Sequence, residues 1–265
     1  MFKLGVNSVL FKAFSFAEAA RAIKLAGYDG VEVSAIKGMC EHLDLDGFND
    51  CKQLIKDAAD ETGLSLLSTE VASLDRERLL LAFEACAELG IQVVNVGPGG
   101  KSDDEDSLKE SLEALYDRAE LAAKYGVTLC CKAHVGNSVY STPTTLRMME
   151  AIKLDSFGVN MDPSHIWRAG EEPAVALSQV VGRVRHIHFR DCKGREASPG
   201  LPAMQACGRG DIDLHGYFKV LVESGYEGPV SLEVIGPPLS ITEAAVIAAE
   251  SFGHVNAILK SLGAK

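Results

Sequence analysis

Asp162, His188 and Glu233 are the residue types from which a metal-assisted site is built, and each stands near the end of a short β-rich run, in "FGVNMD", "RHIHFRD" and "PVSLEV". Two carboxylates and an imidazole converging from neighbouring strands suit a hard-to-borderline divalent ion such as Mn2+, Mg2+ or Zn2+. Taken singly, each also fits a structural role. A carboxylate at a strand end can cap the next helix, and a strand histidine can be a satisfied core residue. A further run, "VTLCCKAH", ends on Lys132 and His134. Lysine is almost never buried without a partner, so a core strand that finishes on one requires anions opposite it. Lys132 is expected to face Asp162 and Glu233. Beside a divalent ion its pKa would fall and the neutral amine could act as a general base, the role favoured here. Without an ion, the ammonium would itself take the cation's place and polarise a substrate carbonyl. A structural ion pair without chemistry is the third reading. His134, two residues on, shares the orientation of Lys132 and can be ligand, acid–base group or loop residue.

The elements that position these residues repeat along the chain. Eight β-rich runs ("KLGVNS", "DGVEVSA", "LSLLSTEV", "QVVNVG", "VTLCCKAH", "FGVNMD", "RHIHFRD" and "PVSLEV") alternate with amphipathic helical patterns. Ser15 and Glu18 form a capping box ahead of "FAEAARAIKLAG", which Gly27 ends. In "STPTTLRMMEAI", Thr142 is the expected cap and Pro143 the first helical residue. Strict alternation predicts a parallel sheet, and eight units predict a closed (β/α)8 TIM barrel, a single α/β domain over residues 1–265. An open doubly wound sheet would carry a glycine-rich turn after the first strand, where "GVNSVLFKAFS" has none. Side chains alternate along a strand. Asn7, Glu32, Glu70, Asn95, Lys132, Asp162, His188 and Glu233 have largely apolar neighbours, so each strand offers one polar interior residue at its C-terminal end. Barrel enzymes keep their active sites there.

The bulk properties narrow the partners. The chain has 265 residues, 47% hydrophobic and 24% charged, with a formal charge of −11. That charge repels phosphate backbones and anionic lipid, so neither nucleic acid nor membrane is an expected partner. No stretch reaches 18 uninterrupted apolar residues, the N-terminus has no signal-peptide pattern, and the seven cysteines lack C-x-x-C spacing. A soluble cytoplasmic protein with reduced thiols is expected.

"AGYDGVEVS", "MDPSH", "HIHFRD", "GRGDID" and "GYEGPVSLEV", in this order, resemble the xylose isomerase-like barrel superfamily of sugar isomerases, ketose 3-epimerases and endonuclease IV-type enzymes. The resemblance covers essentially the whole chain and implies a carbohydrate substrate and, by precedent, a homo-oligomer. In the epimerase branch, Glu, Asp, His and Glu from strands five to eight hold the metal. The last three carry over to Asp162, His188 and Glu233; the first falls on Lys132, so an unmodified two-glutamate mechanism is not available. His165 matches a family histidine that contacts substrate or a further metal. Substrate contacts are expected from Glu70, His165, Trp167 and Arg190, and catalysis from Lys132, Glu233, His134 and His165. Glu32 and Glu70 could equally pair with neighbouring polar groups, and Trp167 could simply pack. Asp191 is expected to order its loop, His186 to lie deeper, Asp213 to cap a helix and Asp211 to support the site from outside. "NVGPGG" resembles a phosphate cradle only weakly, and Gly97 stands where the nucleases keep a zinc-binding histidine. The leading expectation is an isomerase or epimerase that moves a proton next to a carbonyl with metal assistance. A lyase that expels a substituent through the same enolate is the alternative. A non-catalytic sugar-binding barrel is the different-class alternative, and it would tolerate Glu233→Gln.

Overall fold

The structure, a computed structural model, describes residues 2–196 and 198–264. Strands β1 (Leu4–Asn7) and β2 (Gly30–Ile36) are followed by a two-residue strand, β3 (Cys40–Glu41), which turns back antiparallel on β2. Then come β4 (Ser65–Glu70), β5 (Val93–Val96), β6 (Thr128–Lys132), β7 (Phe157–Met161), β8 (Val184–Phe189) and β9 (Val230–Leu232). Apart from β3, each strand pairs in parallel with the next, and β9 returns to β1, closing an eight-stranded barrel. Around it lie α1 (Phe16–Leu25), α2 (Phe48–Thr62), α3 (Arg76–Leu89), α4 (Glu105–Ala123), α5 (Thr142–Ala151), α6 (Pro163–Arg168), α7 (Pro173–Val180), α8 (Leu214–Glu223) and α9 (Ile241–Ser261). Both α6 and α7 lie between β7 and β8, so the described residues hold one helix more than strict alternation requires. No helix among them is long and apolar enough to cross a membrane.

Local chemistry starts the helices where the pattern changes. Ser15 accepts from the Glu18 N–H while the Glu18 carboxylate accepts from the Ser15 N–H, which satisfies two donors that a helix start leaves open. In α5 the cap is Ser141, not Thr142. Its side chain accepts from the Thr144 N–H, and Thr144 Oγ1 accepts in return from the Ser141 N–H at 3.0 Å, leaving Pro143 one residue further in. The outward strand residues Val31, Val33, Val94, Val96, Ile187, Phe189, Leu232 and Val234 are buried in the apolar cluster shared by sheet and helices.

One irregularity matters for the site. Val31 of β2 pairs with Leu66 of β4, but Glu32 pairs with Ser68, so Leu67 is an extra residue in β4. The bulge sets the phase that turns Ser68 and Glu70 toward the barrel axis. Leu67 itself lies over two glycines: a Cβ on Gly5 would come within 2.6 Å of Leu67 Cδ1, and one on Gly30 within 2.6 Å of both Leu67 Cγ and the Ser65 carbonyl. Gly30→Ala should therefore cost about 1–3 kcal/mol, the range for overpacking a filled interior. Urea unfolding of the variant checks it, and an unchanged midpoint would mean the bulge relaxes freely.

Candidate active site

All eight polar strand-end residues are buried, and hydrogen bonds and ion pairs tie them into one network at the C-terminal mouth. Asn7 Nδ2 donates to Glu70 Oε2 (2.6 Å), and Asn95 Nδ2 donates to Glu32 Oε1 (2.6 Å). The other Glu32 oxygen lies 2.6 Å from His188 Nε2. Lys132 is at the centre. Its Nζ donates to Glu70 Oε1 (3.0 Å) and to both oxygens of Glu233 (2.8 and 3.0 Å), and lies 3.3 Å from His188 Nδ1. Asn160 Nδ2 reaches the same His188 nitrogen at 3.2 Å, while Asn160 Oδ1 accepts the His188 backbone N–H. The Nε2 proton points at Glu32, and although burial disfavours the charged ring, Glu32 and Glu233 outweigh it and push the His188 pKa up to about 9.

Asp162 is engaged elsewhere. Its Oδ1 accepts from the Ser164 N–H and hydroxyl (2.8 and 2.7 Å), and its Oδ2 pairs with Arg190 Nη2 at 2.9 Å. The same guanidinium nitrogen is 3.4 Å from Glu233 Oε2 and so joins Asp162 to the network. Of the expected triad, His188 and Glu233 stand together, and Asp162 is joined to them through Arg190. The group whose ligand atoms lie within 4.8 Å of one another is Glu70, His188 and Glu233. Two carboxylates and a histidine whose other nitrogen is held by a carboxylate form a donor set that fits a divalent ion. A second such group, Glu32, His186 and His188, lies deeper, with His186 Nε2 2.9 Å from Ser68 Oγ.

The charges settle the protonation states. Burial alone would depress Lys132, but Glu233, Glu70 and Asp162 outweigh it and hold the amine above its ordinary pKa. Without a divalent ion beside it the side chain is therefore an ammonium ion-paired with Glu70 and Glu233, the arrangement expected for the ion-free site. Burial acts to raise both of these glutamates. In Glu70 it combines with the neighbouring Glu233 to push the carboxyl up to about 7. In Glu233 it is overcome by Lys132, His188 and Arg190, which hold that carboxylate well below its ordinary value. Burial likewise raises Glu32, yet His188 and His186 bring it down to about 2. The two glutamates flanking Lys132 are chemically unlike, one ionised and one able to carry a proton near neutrality.

Above the network lies a cavity of about 260 Å3, lined on its polar side by Glu70, Lys132, His134, Asn137, His165, Arg190 and Glu233 and elsewhere by Ile36, Met39, Ala72, Gly97, Gly99 and Ile235. His134 Nδ1 donates to the Val135 carbonyl at 2.9 Å, and its Nε2 has no hydrogen-bond partner among the described residues. Burial and the Lys132 charge lower its pKa, so it is a neutral imidazole with an available lone pair. Its ring lies 4.0 Å from that of His165. His165 stands between two guanidinium groups, Arg190 at Nε2 and Arg168 at Nδ1 (3.0 Å each), and burial with the Arg190 charge keeps it neutral.

Other expected roles shift. Trp167 is not in the cavity wall. Its indole N–H donates to the Gly194 carbonyl (2.6 Å) and the Arg195 guanidinium lies 3.5 Å from its ring, so it anchors the loop after β8. Asp211 accepts the Gly194 N–H at 2.8 Å and supports that loop, not the site. Asp191 accepts from the backbone N–H of Cys192, Gly208 and Ile212, and Asp213 caps α8. Gln205 had no sequence signal, yet it is buried and joins Arg190 (3.4 Å) to the backbone of Ile235. Asn160 could have been found, since it shares the parity of Asp162.

A parallel barrel with a buried ionic cluster and an open cavity at its C-terminal mouth defines a barrel enzyme of the kind whose chemistry is carried by strand ends. The family model for the xylose isomerase-like TIM barrel matches residues 20–255, and the chain belongs to this family. Its relatives include an inosose dehydratase of Lacticaseibacillus casei, 28% identical over 257 residues that cover 86% of this chain and 85% of that protein. Among solved structures, a D-tagatose 3-epimerase-like protein superposes with a TM-score of 0.79 at 20% identity, covering 99% of this chain and 98% of the other. The IOLI protein with a bound zinc atom superposes at 0.77 and 21% identity, covering 98% and 99%.

Proposed function

We propose that the protein is a lyase that eliminates water from a neutral, polyhydroxylated ketone in the cytoplasm. The observation that carries this is the asymmetry around Lys132. Epimerisation calls for matched acid–base groups on both faces of one carbon, whereas the mouth offers a lysine cation, one ionised glutamate and one protonatable glutamate. Elimination uses unlike groups. The dehydratase relative supports the same choice, so the reaction held above as the alternative to isomerisation becomes the better reading.

The substrate carbonyl oxygen is placed at the Lys132 ammonium, with Arg190 beside it, where the negative charge of an enolate would develop. His134 Nε2 takes the proton from the carbon next to the carbonyl, and the electron pair of that C–H bond forms the enolate. The enolate collapses, the bond from the adjacent carbon to its hydroxyl breaks, and Glu70 gives its proton to the departing oxygen. Water and a conjugated enone result, and proton transfer to solvent resets His134 and Glu70. A divalent ion (Mn2+, Mg2+ or Zn2+) held by Glu70, His188 and Glu233 in place of the ammonium would supply a Lewis acid to the same carbonyl. The zinc in a structural relative supports that ligand class.

Charge selects the substrate. The two cations that line the cavity, Lys132 and Arg190, are already matched by Glu70, Glu233 and Asp162, so a phosphate or carboxylate would add uncompensated negative charge. A cavity just below the usual range for drug-sized ligands suits one compact polyol ring. Incubation with keto-inositols and ketohexoses in D2O tests the reading. Enone absorbance with loss of water is expected. A product of unchanged formula and altered configuration would make the protein an epimerase, and binding without label or turnover would make it a sugar-binding barrel.

A further inference from the structure

The three residues that contact Lys132 Nζ, namely Glu70, His188 and Glu233, are the same three whose ligand atoms lie within 4.8 Å of one another. An ammonium and a divalent ion both suit such a group, but at different distances. Charge-assisted N–H···O bonds run to about 2.7–2.9 Å, whereas divalent ions draw the same atoms to about 2.0–2.6 Å. An ion seated on these donors would overlap Nζ and repel it at close range in a buried site. The donors, meanwhile, are aimed without help from the lysine. Glu70 is held by Asn7, and His188 is held by Glu32 through Nε2 and by Asn160 through its backbone N–H. The cavity that Lys132 lines gives its flexible stem somewhere to go.

We infer that Lys132 is a displaceable built-in cation: a divalent ion and the Lys132 ammonium compete for Glu70, His188 and Glu233, and the ion enters only as the amine withdraws from all three. The competition is independent of the elimination chemistry, so the probe is Mn2+ alone. Mn2+ is titrated into the wild type, Lys132→Met and Lys132→Gln, and followed by the EPR signal of the free ion and by thermal unfolding. Each variant should take one Mn2+ at least about tenfold more tightly than the wild type, because the ion no longer has to displace a charge already seated on its ligands. A variant that folds only with Mn2+ is the same result in stronger form. Reductive methylation of the wild type, read by mass spectrometry, should find Lys132 protected without Mn2+ and labelled at millimolar Mn2+. Variants that bind no more tightly than the wild type would overturn the inference. So would Mn2+ uptake by none of the three proteins, or wild-type uptake that leaves Lys132 labelling unchanged.

Discussion

Lys132→Met should lose about 10²- to 10³-fold in turnover of a keto-polyol, the scale on which removing a charge-stabilising group acts. The ammonium is the group nearest to where the enolate oxygen would form, and methionine keeps the length of the side chain but offers neither charge nor donor. The same change leaves Glu70 and Glu233 facing each other in a buried site. Breaking a buried pair by removing one partner costs about 3–5 kcal/mol, so the thermal midpoint should drop with the activity. Enone formation followed by absorbance, with circular dichroism to show that the variant is folded, separates the two effects. A folded Lys132→Met that works at the parent rate would make the lysine purely structural and remove the cation from the mechanism.

His134→Gln should reduce turnover by about 10²- to 10⁴-fold, the usual contribution of a general base. Stability should hardly change, because the side chain is only partly buried and among the described residues its one hydrogen bond is to the Val135 carbonyl, and a single such hydrogen bond contributes about 1 kcal/mol. Solvent exchange sharpens the assignment. In D2O the wild type should wash deuterium into the carbon next to the carbonyl, and the variant should not. Glu70→Gln, by contrast, should keep the exchange and lose the elimination, since it leaves the base and removes the acid. Exchange at the parent rate in His134→Gln would move the base to Glu233, the ionised carboxylate on the other side of Lys132.

Much of the site is legible as a list and little of it as a set of pairs. Period-two alternation identifies Asn7, Glu32, Glu70, Asn95, Lys132, Asp162, His188 and Glu233 as interior residues, and all eight are buried at the mouth. Burial of a lysine announces carboxylates near it. Which carboxylates is not announced: the expected pair is Asp162 and Glu233, and Lys132 hydrogen-bonds to Glu233, 101 positions away, and to Glu70, 62 positions away. Trp167 shows the same gap, since nothing local distinguishes an indole facing a cavity from one held under Arg195.

By itself, then, the sequence determined the alternation of strand and helix, the face of each strand residue and so the membership of the polar mouth. These follow from backbone geometry, which acts within a few residues of any position. The tertiary structure alone decided the pairing. A closed barrel brings the ends of all eight strands to one axis, where partner choice depends on side-chain reach and on what competes nearby. Asp162 is short and is taken by the Ser164 turn and by Arg190. Glu70 is one methylene longer and, turned inward by the extra residue in β4, reaches the axis and the lysine. No spacing in the chain encodes that difference, because it arises only when strands distant in sequence converge on the same few ångströms.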